Sequence, residues 1–251
     1  MKNQYGSNKL VMLALLVATI TGCGGGVDPV TYPLRSALDA LTRSGSSFTM
    51  TAIGTGAAAT KAVDGDCSGT LVETDAATVD STAFDGTPGL SSDVSATLTF
   101  TSGCGQATVT ATETDYFDSN LLPLGADVTG VNYFGKYLKP PVIPATVKLG
   151  DKGDIGRLTF YSEKAYTTVV RYADRSYAIE ADSPPSTTSV IANSISKAYD
   201  DKDALLSVSE VRYRIDTAGK LTMVSQDILQ YDNSKTPPAT TRVVFRCTSG
   251  C

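Results

Sequence analysis

The sequence predicts a mainly β fold, an antiparallel sandwich or a half-open barrel with one short N-terminal helix. Three observations predict it. Apolar residues recur with period two through most of the 251 residues, Gly, Asp and Pro clusters separate these runs, and only one stretch carries a helical period.

The chain opens with Lys2 and Lys9 around an apolar run, "LVMLALLVATI" (residues 10–20). Eleven residues are too few to span a hydrocarbon core about 30 Å thick, which needs roughly 20 in a helix, so the pattern is that of an export signal. The run ends in Ile20-Thr21-Gly22-Cys23, which resembles the lipobox of bacterial lipoprotein precursors. The resemblance implies that residues 1–22 are a signal peptide and that Cys23 becomes the N-terminus and lipid attachment site. Gly24, where that family often places Asp for inner-membrane retention, implies transfer to the outer membrane, facing the periplasm. Each buried CH₂ contributes roughly 0.8 kcal/mol, so several acyl chains would hold the protein at the bilayer. Residues 23–33, "CGGGVDPVTYP", read as a tether of glycines and prolines.

The β-rich region is expected over residues 34–251. It begins with the helix: Leu34, Ala37, Leu38 and Leu41 fall at i, i+3, i+4 and i+7, and Gly45 stops the run. In "SATLTF" Ala96, Leu98 and Phe100 alternate with Ser and Thr. "QATVTATET" does the same with Ala107, Val109 and Ala111, and the "TSGCG" between them reads as a hairpin turn. "NYFGKYLK" places Tyr133, Phe134 and Tyr137 beside Lys136 and Lys139, a candidate contact surface. Pro140, Pro141 and Pro144 suggest a sub-boundary near residues 139–145. Val211, Tyr213 and Ile215 alternate with charged residues, whereas Leu206 and Val208 sit in the other phase, which predicts a bulge near Val208 to Val211. "DTAGK" then turns the chain into "LTMVSQDILQY". "YFDSNLLPLG" and "IPATVKLGDKGDIG" look like stretches of uncharacterised Thr- and Gly-rich bacterial lipoproteins, a likeness that implies the class and no activity.

Loss of Lys2 and Lys9 with the signal takes the net charge from −5 to −7, and an acidic chain offers nothing to a phosphate backbone, so nucleic acid is not an expected partner. Of five cysteines, four remain after Cys23. In an oxidising compartment they read as two disulfides with three possible connectivities, of which Cys67–Cys104 and Cys247–Cys251 are favoured.

The absence of histidine removes the usual triads and His-ligated metals. Ser194-Ile195-Ser196-Lys197 matches S-x-x-K but sits in a predicted strand. Gly54 to Ala59 matches G-x-G-x-x-A with no room for a crossover helix before "DGDCSG". Asp64 and Asp66, Asp151 and Asp154, and Asp200, Asp201 and Asp203 fall where turns are expected and match no calcium loop.

No catalytic residue, metal site or cofactor is therefore expected. The reading is a lipid-anchored envelope protein with a binding or structural role, joined to the membrane through Cys23 and partnered by another envelope protein or a hydrophobic ligand. A carrier with an apolar cavity for lipid or lipoprotein, and a carboxylate-based hydrolase, are the alternatives.

Overall fold

The computed structural model describes residues 30–56, 67–82, 84–102, 108–182, 186, 188–235 and 239–251. The proposed signal, Cys23, Asp64, Asp66 and Cys104 lie outside them. One helix, α1 (Leu34–Ser44), leads into β1 (Ser46–Gly56), β2 (Cys67–Asp75), β3 (Val79–Ser81), β4 (Gly89–Ser102), β5 (Thr108–Phe117) and β6 (Pro123–Thr129). There follow β7 (Tyr133–Tyr137), β8 (Lys152–Tyr161), β9 (Val169–Ala181), β10 (Ser189–Asp200), β11 (Leu205–Asp216), β12 (Leu221–Asp232) and β13 (Ala239–Ser249).

From β4 to β13 each strand pairs with the next, β13 pairs with β1, β1 with β2, and β2 returns to β4. Every pairing is antiparallel, and the ring closes as a twelve-strand barrel with β3 outside it. β2 occupies one edge of β4 from Val94 to Ser102, and β3 pairs along the same edge at Gly89 to Ser91. The expectation of a sandwich or half-open barrel is corrected here: the β2–β4 ladder joins the two edges that an open sheet would leave bare. Prolines near 139–145 do not divide this sheet, because β7 and β8 on either side pair directly, Tyr137 opposite Leu158.

The helix lies where the period placed it. Its N-cap, Pro33, supplies no side-chain cap, but an isolated bridge from Tyr32 to Val147 fixes its entry, and Arg43 in the last turn suits the helix dipole. Gly45 ends it at φ 69°, where an added Cβ would meet the Asp75 carbonyl oxygen at 2.6 Å, so glycine is required. Leu34 and Ala37 pack with Val190, Ala192 and Ile215 and Leu38 against them, while Leu41 reaches Phe48, Met50, Leu71, Met223 and Phe245. The apolar face of α1 thus closes one end of the barrel and joins two core clusters. A third cluster, Tyr137, Leu158, Phe160 and Ala173, lines the wall formed by β7, β8 and β9. Fully burying a side chain such as Ile215, at 0% exposure, contributes about 2 to 3 kcal/mol.

β11 is irregular close to the expected place. Its ladder with β10 is regular from Ser207↔Ala198 to Asp216↔Ser189, but the next pair is Leu205↔Tyr199, which leaves Leu206 over as a bulge just before the stretch where one was expected. A second irregularity lies on the other edge, between Arg212 and Tyr213 against β12. Ser207 and Ser209 share the inward face with Val211, Tyr213 and Ile215, while Val208 faces out. Polar residues point inward because the interior is not uniformly apolar.

Candidate functional site: the barrel lumen

Register and alternation sort the strand residues into two faces. The outer face carries Thr49 and Thr51 on β1, Asp93, Ser95, Thr97 and Thr99 on β4, Thr108, Thr110, Thr112 and Thr114 on β5, and Glu210, Arg212 and Arg214 on β11. A membrane-spanning barrel needs an apolar band about 25 Å tall on this face. Here threonine, serine and charge predominate on these strands, interrupted by outward apolar residues such as Ile53 and Val72, 46% and 42% exposed. No described helix is long and apolar enough to cross a membrane.

The inner face combines the apolar clusters with a band of charge. Leu71, Glu73 and Asp75 stand in phase on β2, opposite Leu98, Ala96 and Val94 of β4. Glu113 and Asp115 of β5 stand opposite Val94 and Ser92 on one side and Val128 and Ala126 on the other. Arg171, Ala173, Arg175, Tyr177 and Ile179 share the inward face of β9. Twelve strands enclose more space than the eight whose side chains just fill a barrel. Accordingly the inward residues Glu73, Asp75, Glu113, Asp115, Arg171 and Arg175 lie deep within the barrel yet keep part of their accessible surface. At the end away from α1, inward-facing Val109 is 40% exposed, so the lumen opens there.

Electrostatics follow from this enclosure. Burial, then the neighbouring Asp75 and Glu113, push the Glu73 carboxyl up to about 7. Asp75 is raised by burial, partly offset by the Ser46 hydroxyl that donates to it at 2.5 Å. Asp115 and Glu113 are both raised by burial, the charge of Glu113 adds to the rise of Asp115, and Arg175 opposes the rise in each. Burial also raises Tyr213, helped by the negative charge of Glu73 and Asp75. Arg171 is lowered by burial, whereas for Arg175 burial is more than offset by Tyr137, Asp115 and Glu113.

The arginines are held by rings. Arg171 lies 4.9 Å from the Tyr133 ring centre and 4.6 Å from that of Phe160, and Arg175 lies 5.9 Å from that of Tyr137. The Nε atoms of both arginines are buried without a hydrogen-bond partner.

The structure therefore splits the expected contact surface. Tyr133 and Tyr137 face the lumen, and Phe134 faces out, 5.3 Å from Lys164 Nζ. Lys136 faces out as well, paired with Asp85 and 4.6 Å from the Tyr166 ring. Ser194 faces in and lines a small cavity, whereas Lys197 stands on the outer face, so the S-x-x-K residues do not converge. Asp151 accepts from the Lys148 amide, and Asp200 accepts from the Lys202 and Ala204 amides, as turn-forming carboxylates do. Among the described residues no group of acids and cysteines could hold a metal ion.

Cys247 and Cys251 form a disulfide with Cα atoms 6.1 Å apart. Cys67 begins β2, and the neighbouring pair Ser68↔Ser102 brings it beside the end of β4.

A separate apolar cavity of about 70 Å³ lies between α1 and the wall, lined by Leu34, Leu38, Tyr177, Ala192, Tyr213 and Leu221. That is room for a few waters, far below the 300 Å³ or more that drug-sized ligands take. Sequence reasoning missed the charged band, although its signal was legible: "LVETD", "TATETD" and "YADRS" each continue an apolar face into charge without changing phase. The chain matches no protein-family model, no curated protein and no solved structure.

Proposed function

We propose that the chain is a lipid-anchored barrel of the bacterial cell envelope, attached through Cys23, that binds a small polar ligand in its lumen. The observation that carries the binding role is the pair of enclosed arginines, Arg171 and Arg175, whose Nε donors have no partner. An unmade hydrogen bond on a buried donor costs about 1 to 3 kcal/mol, and a ligand acceptor removes that cost. The lipobox and the polar outer wall support anchoring by acyl chains rather than by the barrel itself. The cavity of about 70 Å³ under α1 is too small for an apolar carrier, whose place would be the open cleft of about 440 Å³ lined by Leu138, Pro140, Val142 and Ile155.

A second reading rests on Glu73. A carboxyl held near 7 beside Asp75 is what a general acid in a hydrolase requires. In that case Glu73→Gln abolishes turnover of the bound ligand; in a pure binding protein it changes affinity alone.

Native mass spectrometry of the full chain, extracted from membranes in detergent, tests both halves of the proposal. The expected species starts at Cys23, carries acyl chains and holds a small non-covalent adduct. An unacylated chain overturns the anchor, and an acylated chain without adduct at any detergent concentration overturns the lumenal ligand.

A further inference from the structure

The lumen carries charge of both signs on opposite walls. Around the ring, β2 and β9 are six strands apart in either direction, which makes them diametrically opposed. On β9 stand Arg171 and Arg175 with their unpartnered Nε atoms. On β2 stand Glu73, on which Asp75 and Glu113 act, and Asp75, which accepts from the Ser46 hydroxyl, and no cation acts on either. Arg175 acts on Glu113 and Asp115 but not on the β2 pair, and no described ion pair joins either lumenal arginine to any carboxylate.

We propose that the lumen binds a small zwitterion whose charges are several bonds apart, an ω-amino acid or a short peptide, with its carboxylate on Arg171 and Arg175 and its ammonium between Glu73 and Asp75. The inference rests on the lumenal binding role and specifies its ligand. A planar carboxylate is the acceptor that a guanidinium fork matches best. An ammonium supplies the cation that Glu73 and Asp75 lack, and the phenol of Tyr213, within reach of the same two carboxylates, adds a ring and a hydroxyl to its surroundings. A free α-amino acid carries both charges on adjacent groups and cannot answer opposed walls. The ligand enters at the end away from α1, where Val109 is open to solvent.

Calorimetry on the full chain in detergent, with a graded set of probes, tests this. Glycine, γ-aminobutyrate and ε-aminocaproate vary the charge separation, while hexanoate and hexylamine each carry one charge. The expected result is tightest binding by the longer ω-amino acids, with glycine and both single-charge probes weaker by about tenfold or more, the worth of one charge-assisted hydrogen bond. Glu73→Gln then weakens ε-aminocaproate and hexylamine but not hexanoate, and Arg171→Gln weakens ε-aminocaproate and hexanoate but not hexylamine. These two variants keep Arg175, the residue whose loss most endangers folding. If hexanoate or hexylamine binds as tightly as ε-aminocaproate, the zwitterion is overturned while the binding role stands. If no probe binds although native mass spectrometry finds an adduct, the ligand class is wrong; if no adduct is found either, the lumenal role falls with it.

Discussion

The two faces of the barrel treat charge in opposite ways. On the outer wall and its loops several cations meet carboxylates: Arg157 donates two bonds to Asp174 at 2.6 and 2.9 Å, Arg214 two to Asp182 at 2.6 and 2.9 Å, and Arg212 one to Glu210 at 2.7 Å, although the Arg212 Nε, like those of Arg171 and Arg175, is buried without a hydrogen-bond partner. In the lumen two arginines and four carboxylates face one another without a single described ion pair. Exposed pairs gain little because water already screens each charge. Enclosed charges left apart are costly, and a fold keeps them where something else is to meet them. The contrast teaches that the outer pairs are cross-strand pairings of the sheet, whereas the lumenal charges are chemistry held in reserve.

The harshest way to break the contrast is Arg175→Gln. It leaves Glu113 and Asp115 without their strongest neighbouring cation, and removing one partner of a buried charge set costs about 3 to 5 kcal/mol. Urea unfolding should show that loss at pH 8 and a smaller one at pH 5, below the value of about 7 to which the Asp115 carboxyl is pushed. An equal loss at both values would mean that Arg175 acts by packing alone.

Glu73→Gln should act in the other direction. The Glu73 carboxyl is raised from 4.5 to about 7, so the folded protein holds a proton that the unfolded chain has released. Its contribution to stability is complete below pH 4.5 and is lost as pH rises through 7. Glutamine keeps the shape and removes the charge, so the variant should be more stable than the parent at pH 8, on the order of 2 kcal/mol, and unchanged at pH 4.5. Exposed Glu163 is lowered to about 2 by hydrogen bonds from Ser162, Thr167 and Thr168, so its contribution is lost only as pH falls through that value and leaves the window from 5 to 8 untouched.

The smallest effect belongs to the outer wall. A double-mutant cycle on Arg157 and Asp174, both about half exposed, should give a coupling of about 0.2 to 1 kcal/mol that molar salt abolishes. A salt-resistant coupling above that range would erase the distinction between the two faces.

Much of the architecture was legible in the sequence because period two and period 3.6 are local. Leu34, Ala37, Leu38 and Leu41 marked the helix, and Ala96, Leu98, Val109 and Ala111 marked the β4–β5 pair. Closure was not legible, because it depends on β2 finding β4 past the short β3, and nothing in either strand's composition specifies that neighbour. The inward serines of β11 were not legible for a related reason. Ser207 and Ser209 point inward, which makes sense only in a barrel wide enough to hold polar side chains away from an apolar core. The same assumption hid the site: Glu73, Asp75, Glu113 and Asp115 continue the inward phase of their strands, and a reader expecting a dry core sees them as strand ends. Tyr133, Phe134 and Tyr137 were read together as one contact surface, but a two-residue period with Gly135 between the tyrosines, against Phe160, puts both tyrosines on one face and Phe134 on the other.

Carbon-detected NMR titration of the Asp and Glu side chains in the full chain tests the central claim, that the lumen holds uncompensated charge. The account predicts that the Glu73 carboxyl titrates near 7 in the ligand-free protein and falls when a ligand cation settles beside it. If Glu73 titrates near its ordinary value of 4.5, the lumen is neither as enclosed nor as uncompensated as described, and the argument for a ligand there fails.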